Sequence, residues 1–116
     1  MENYKELTFQ KYLRIRMRVI FSEIAKLEPD DAVSFYELEF EGLGKRFKNE
    51  TRSSIKRILQ YPKVWPIERG EIRKCLMSKF PYKILYSIEK DHIFIIALAH
   101  QHRKPDYWID RIGNLR

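Results

Sequence analysis

At 116 residues the chain has the length of one domain, long enough to bury a core without disulfides or a structural metal. A single cysteine, Cys75, excludes an internal disulfide and a cysteine-rich zinc site. No apolar run has transmembrane length, and the first 15 residues, charged throughout, do not read as a signal peptide, so a cytoplasmic protein is expected. The net charge of +7 is unevenly placed: Glu23 to Glu41 holds seven acidic residues against one lysine, whereas Leu43 to Lys74 holds ten Lys/Arg against three acids. A basic surface of this kind suits an anionic partner such as nucleic acid, an acidic protein or a ribosome, or is simply well solvated.

In chain order, Tyr4, Leu7, Phe9, Tyr12 and Leu13 follow no clean period. A strand is predicted over Ile15 to Phe21, where Met17, Val19 and Phe21 alternate with Arg16 and Arg18. Ser22 is placed to cap a helix running through Ile24 and Leu27, which Pro29 is expected to kink or restart. Beyond it Val33, Tyr36 and Phe40 keep helical spacing. Gly42 and Gly44 mark a tight break. The second helix carries a stripe of Leu43, Phe47, Ile55, Ile58 and Leu59, with Lys45, Arg46, Lys48, Arg52, Lys56 and Arg57 facing outward, and ends before Pro62. The two make a helical hairpin.

The second half changes period. Strands are predicted over Ile72 to Lys79, Tyr82 to Ile88 and His92 to Ala99, interrupted by Phe80-Pro81 and the polar turn Glu89-Lys90-Asp91. The last is apolar on both faces, as expected of a central strand. Pro105 can open a short final helix through Tyr107, Trp108 and Ile112. Short turns favour antiparallel pairing. The expected class is α+β: an N-terminal strand and a helical hairpin packed on an antiparallel sheet of about four strands, with a short C-terminal helix.

The segments EGLGKRF, YPKVWP and IRKCLMSKFPYKILYSIEKDHIFIIALAHQHRKPDYW resemble the RelE/ParE superfamily of bacterial type II toxins, in particular its ParE-like branch. The similarity runs from about Met17 to Trp108 and is most specific in FPYKILY and AHQHRKPDYW. Met17 sits where members of the superfamily usually begin, which implies a toxin domain over residues 17–116 behind an N-terminal extension, residues 1–16. The resemblance implies a growth-arresting toxin, a cognate antitoxin that wraps and neutralises it, and a higher-order toxin–antitoxin complex. ParE-like members poison DNA gyrase, whereas RelE-like members cleave messenger RNA, often on the ribosome.

The residues leave that choice open. Metal-independent RNA cleavage needs a base for the ribose 2′-hydroxyl, a cation for the phosphate and an acid for the leaving oxygen. Laid on the ribonuclease pattern, the strand arginine falls on Lys83, and the second arginine on His102 or, one residue on, Arg103. The terminal tyrosine falls on Trp108, with Tyr107 adjacent. The candidate catalytic set is therefore Lys83, His100, His102, Arg103 and Tyr107, to be used only if the chain is a ribonuclease. The imidazoles of His100 and His102, two apart, are expected on one strand face as a base and an acid, or as structural and solvated groups. Arg73, Lys79 and Lys83 would line the sheet if their faces are open. No cofactor and no metal are expected. Three readings stand: a gyrase poison, a ribosome-dependent or free mRNA endonuclease, and a non-toxic basic nucleic-acid-binding module.

Overall fold

A computed structural model describes residues 17–102. Within them the chain forms β1 (Arg18–Phe21), α1 (Glu23–Glu39), α2 (Leu43–Gln60), β2 (Ile67–Arg69), β3 (Ile72–Leu76), β4 (Tyr82–Ile88) and β5 (His92–His100). The strands make one five-stranded sheet in the order β1-β5-β4-β3-β2. The α+β class and the hairpin on a sheet are as expected, with two differences. The sheet holds five strands, because the three-residue β2 pairs with β3 across the turn at Gly70. It is also mixed, because β1 runs parallel to β5, Arg18 lying opposite His92 and Phe21 opposite Ile95. A parallel partner requires a crossover, here supplied by everything between β1 and β5. The segment predicted from Pro105 lies outside the described residues.

The hydroxyl of Ser22 makes the first turn of α1. It accepts the Ala25 N–H at 3.1 Å and donates to the Ile96 carbonyl at 3.0 Å. The helix then runs unbroken through Pro29, neither ended nor restarted there. A proline at that depth costs roughly 3 kcal/mol in an isolated helix. Here its ring is buried on the same helix face as Ala25 and Ala32, so packing offsets the lost hydrogen bond. Phe40, predicted within the helical spacing, lies beyond the helix as its exposed C-cap.

The Gly-Leu-Gly break has two separate physical causes. Gly42 adopts φ +87°, in the left-handed region that glycine enters without steric cost. Gly44 allows close approach: a Cβ there would stand 2.7 Å from the Val33 carbonyl oxygen. The Glu37 carboxylate accepts the Gly42 and Gly44 N–H groups at 2.9 and 3.0 Å, satisfying the start of α2 in place of a capping side chain. Beyond the break α2 buries Phe47, Ile55, Ile58 and Leu59 completely against Ile84, Tyr86, Ile93, Ile95 and Leu98 of the sheet. A smaller cluster of Ile72, Leu85, Ile96 and Ala97, with Phe94 against it, occupies the other sheet face.

β5 lies between β1 and β4, as its two apolar faces predict. It contains an irregularity: Tyr86 opposes Ile95 and Leu85 opposes Ala97, so the register with β4 shifts by one residue at Ile96. This bulge shifts the alternation by one, so Ile93 and Ile95 face the helices before it and Leu98 does after it. The groups displaced at the bulge are taken up by α1. Ser22 binds the Ile96 carbonyl, and a Glu28 carboxylate oxygen accepts the Leu98 N–H at 3.0 Å.

Candidate functional site

The polar end of β5 projects onto the helix side of the sheet. Tyr82 opposes His100, and their rings lie 5.3 Å apart at an interplanar angle of 73°. The chain then turns, the His102 N–H donating to His100 Nδ1 at 3.1 Å, with the two imidazoles 5.3 Å apart. The backbone donor makes Nδ1 an acceptor, so Nε2 is the ring nitrogen left to face other groups. Beneath these rings a cavity of about 270 Å³ is lined by Tyr82, Leu98 and His100 from the sheet and by Glu28, Asp31, Ala32 and Phe35 from α1. Burial pushes the Tyr82 phenol up, and the neighbouring Tyr36 and Glu28 add to the effect. It therefore remains a neutral donor at physiological pH. Tyr36 joins Tyr82 to Phe47 and Phe80 in a group of edge-on and stacked rings, which fixes the cavity floor to the core.

Lys83 is elsewhere. As the neighbour of Tyr82 on β4 it points to the opposite sheet face, opposing Ala99 and Leu76. There its ammonium lies 3.6 Å from a Glu68 carboxylate oxygen that also meets Lys74 at 3.5 Å. The Lys83 and Glu68 side chains are only 18% and 17% exposed, so the pair is largely removed from water. Arg73 opposes Tyr86 and donates to the carbonyls of Trp65 (2.7 Å) and Lys63 (3.1 Å), holding the loop before β2. The Tyr86 hydroxyl donates to the Pro62 carbonyl at 2.6 Å and secures the same loop. Lys79 follows β3 and lines a separate cleft with Arg46, Asn49, Glu50 and Phe80. Arg73, Lys79 and Lys83 thus do not form one row.

Of the sequence-derived candidates, His100 and His102 come together and Lys83 is set apart from them. Arg103 and Tyr107 lie outside the described residues. Sequence reasoning missed Glu28, Asp31 and Tyr82 as neighbours of His100, and Glu68 as the partner of Lys83. Among the described residues no group of three or more His, Cys, Asp or Glu is placed to hold a metal ion. Within the same residues no helix is long and apolar enough to cross a membrane.

The molecule is thus a two-helix hairpin packed on a mixed sheet, with a polar cleft where the end of the interior strand meets the first helix. No family model and no curated protein matches the chain. Among solved structures it is similar to a chain of the chromosomal ParDE TA system from P. aeruginosa, with a TM-score of 0.65 and 14% sequence identity. The match covers 72% of this chain and 95% of that one. At this identity the likeness establishes a shared fold.

Proposed function

We propose that the chain is the toxin of a bacterial type II toxin–antitoxin pair. It acts in the cytoplasm by binding and poisoning DNA gyrase, and a cognate antitoxin neutralises it. The toxin domain is residues 17–116, and residues 1–16 are an extension ahead of it. The observation that carries the reading is the shared fold with a member of a ParDE TA system, which extends over nearly all of that chain. It agrees with the resemblance in FPYKILY and AHQHRKPDYW.

The geometry favours binding over phosphoryl chemistry. A ribonuclease of this plan brings a cation and an acid–base pair to one phosphate. Here Lys83 is engaged by Glu68 on one sheet face, while His100 and His102 occupy the other. The test is a supercoiling assay with purified protein, gyrase and plasmid. Trapped double-strand breaks that disappear when antitoxin is added are the expected result; no effect at excess protein would overturn the gyrase target.

The paired imidazoles support a second reading as an mRNA endonuclease. That reading requires His102→Ala or Arg103→Ala to abolish toxicity while fold and antitoxin affinity persist. A gyrase poison tolerates His102→Ala.

A further inference from the structure

The cleft lined by Leu43, Arg46, Asn49, Glu50, Lys79 and Phe80 has a volume of about 280 Å³ and shares no residue with the cavity beneath His100. It lies where the start of α2 meets the turn between β3 and β4. That turn is fixed at two points. The Met77 N–H donates to the Tyr82 carbonyl at 2.9 Å, and Ser78 Oγ donates to Glu50 Oε1 at 2.5 Å, which ties the turn to the helix. The Phe80 ring stands edge-on to Tyr36 and Phe47, with centroids 4.9 and 5.0 Å away. The core therefore holds a ring that stays half-exposed at the cleft.

The charges around the cleft are unequal. The Glu50 side chain is only 12% exposed, and Arg57 lies 3.8 Å from the oxygen that Ser78 meets, so its negative charge is already opposed. Arg46 and Lys79 are exposed, and neither forms an ion pair among the described residues. Two available cations thus face one cleft beside an aromatic ring and a carboxamide.

We propose that this cleft binds a nucleotide, with the phosphate held by Arg46 and Lys79 and the base set against Phe80 and the Asn49 amide. An inorganic anion would use the two cations and leave the ring idle, and an apolar ligand would do the reverse. A nucleotide engages both. A guanidinium pairs with phosphate oxygens in a fork, and a flat base stacks on an aromatic side chain. A carboxamide offers a base edge both a donor and an acceptor. The nucleotide is either free or one unit of a single strand, since both present the same phosphate and base. The site lies apart from His100 and His102 and is independent of the toxin's target.

The test uses the full chain and titrates AMP, inorganic phosphate, a short single-stranded oligonucleotide and anionic phospholipid vesicles. AMP should bind with a Kd of about 0.1–1 mM, and inorganic phosphate about 10-fold more weakly. Arg46→Ala and Lys79→Ala should each weaken AMP about 10-fold. Lys90→Ala, the same loss of charge in the turn between β4 and β5, should leave it unchanged. Phe80→Leu keeps an apolar side chain against Tyr36 and Phe47 but removes the ring. Below the variant's thermal midpoint it should bring AMP down to the affinity of phosphate and leave phosphate itself unaffected.

An oligonucleotide bound about 100-fold more tightly than AMP, and weakened by the same variants, would identify the source as a strand. Equal affinities would identify it as a free nucleotide. AMP and phosphate bound alike by the wild-type chain would overturn the proposal, leaving only a basic surface. So would an equal loss in Lys90→Ala, or oligonucleotide binding that none of the three cleft variants weakens. A chain that binds vesicles but neither AMP nor oligonucleotide would overturn it in favour of a membrane surface.

Discussion

The two helices of the hairpin are almost equal in length, 17 and 18 residues, and opposite in use. α2 is basic outside and turns every large apolar residue of its central and last turns inward, burying Phe47, Ile55, Ile58 and Leu59 completely. α1 is acidic, buries only Ala25, Pro29 and Ala32, and leaves its largest aliphatic side chains in solvent. Besides the partly buried Val33 and Tyr36, which pack against the core, α1 is held by polar contacts: Ser22 and Glu28 to the backbone of β5, and Glu37 to the start of α2. The difference teaches that one helix anchors the fold through its side chains. The other adds caps and close approach to a narrow packed face, and leaves Ile24, Leu27, Phe35 and Leu38 exposed.

Substitutions that break this division should rank accordingly. Phe47→Ala removes a fully buried ring in contact with Tyr36, Phe80 and Tyr82, and should cost about 3–5 kcal/mol in chemical denaturation. Gly44→Ala drives a methyl to within 2.7 Å of the Val33 carbonyl and should cost about 1–3 kcal/mol by separating the helices. A neutral result there would mean that the hairpin is not held by close approach. Ser22→Ala removes the cap of α1 and the hydroxyl that donates to the Ile96 carbonyl, a loss of about 1–2 kcal/mol. Ser22→Thr should recover most of it, since the hydroxyl returns.

A smaller effect concerns the thiol on the α2 side of the sheet. Burial pushes Cys75 up to about 11, with the nearby Arg57 opposing the shift. A thiol whose folded pKa lies above its unfolded value contributes stability that is complete below the unfolded pKa and declines as pH rises towards the folded one. Stability should therefore fall through roughly pH 9 to 11 in the wild type and less so in Cys75→Ala, as followed by urea midpoints at each pH. The native thiol should also resist a disulfide reagent at pH 8 until the chain unfolds. Rapid native labelling would mean that this part of the core opens readily.

What was legible in the sequence follows the range of the interactions. The stripe of α2 and the two apolar faces of β5 are local periodicities; both stand in the structure, with Leu43 alone of the stripe only half-buried. β2 is too short to carry a period and exists because β3 offers it an edge. The parallel pairing of β1 joins residues more than seventy positions apart, Arg18 with His92, and no local signal announces it. The candidate site suffered most from this limit. Which face a strand residue occupies depends on cross-strand register, and register placed Tyr82, not Lys83, opposite His100. Pro29 shows the converse: a strong local rule overridden by burial of the helix face on which it lies.

The last substitution should do almost nothing to the isolated chain, and that is its value. Leu38 is 89% exposed at the end of α1, so Leu38→Ala changes little that folding removes from water. The change should stay within about 0.5 kcal/mol of wild type. Leucine and alanine are both good helix formers, so propensity should not mask the result. The same holds for Leu27→Ala, set against the large cost at Phe47 on α2. A loss above about 1 kcal/mol at either leucine would mean that its side chain is already packed in the chain alone. The contrast between the two helices would then dissolve, because α1 too would hold the fold through its apolar side chains. An unchanged midpoint keeps both leucines exposed in the isolated protein and leaves the contrast standing.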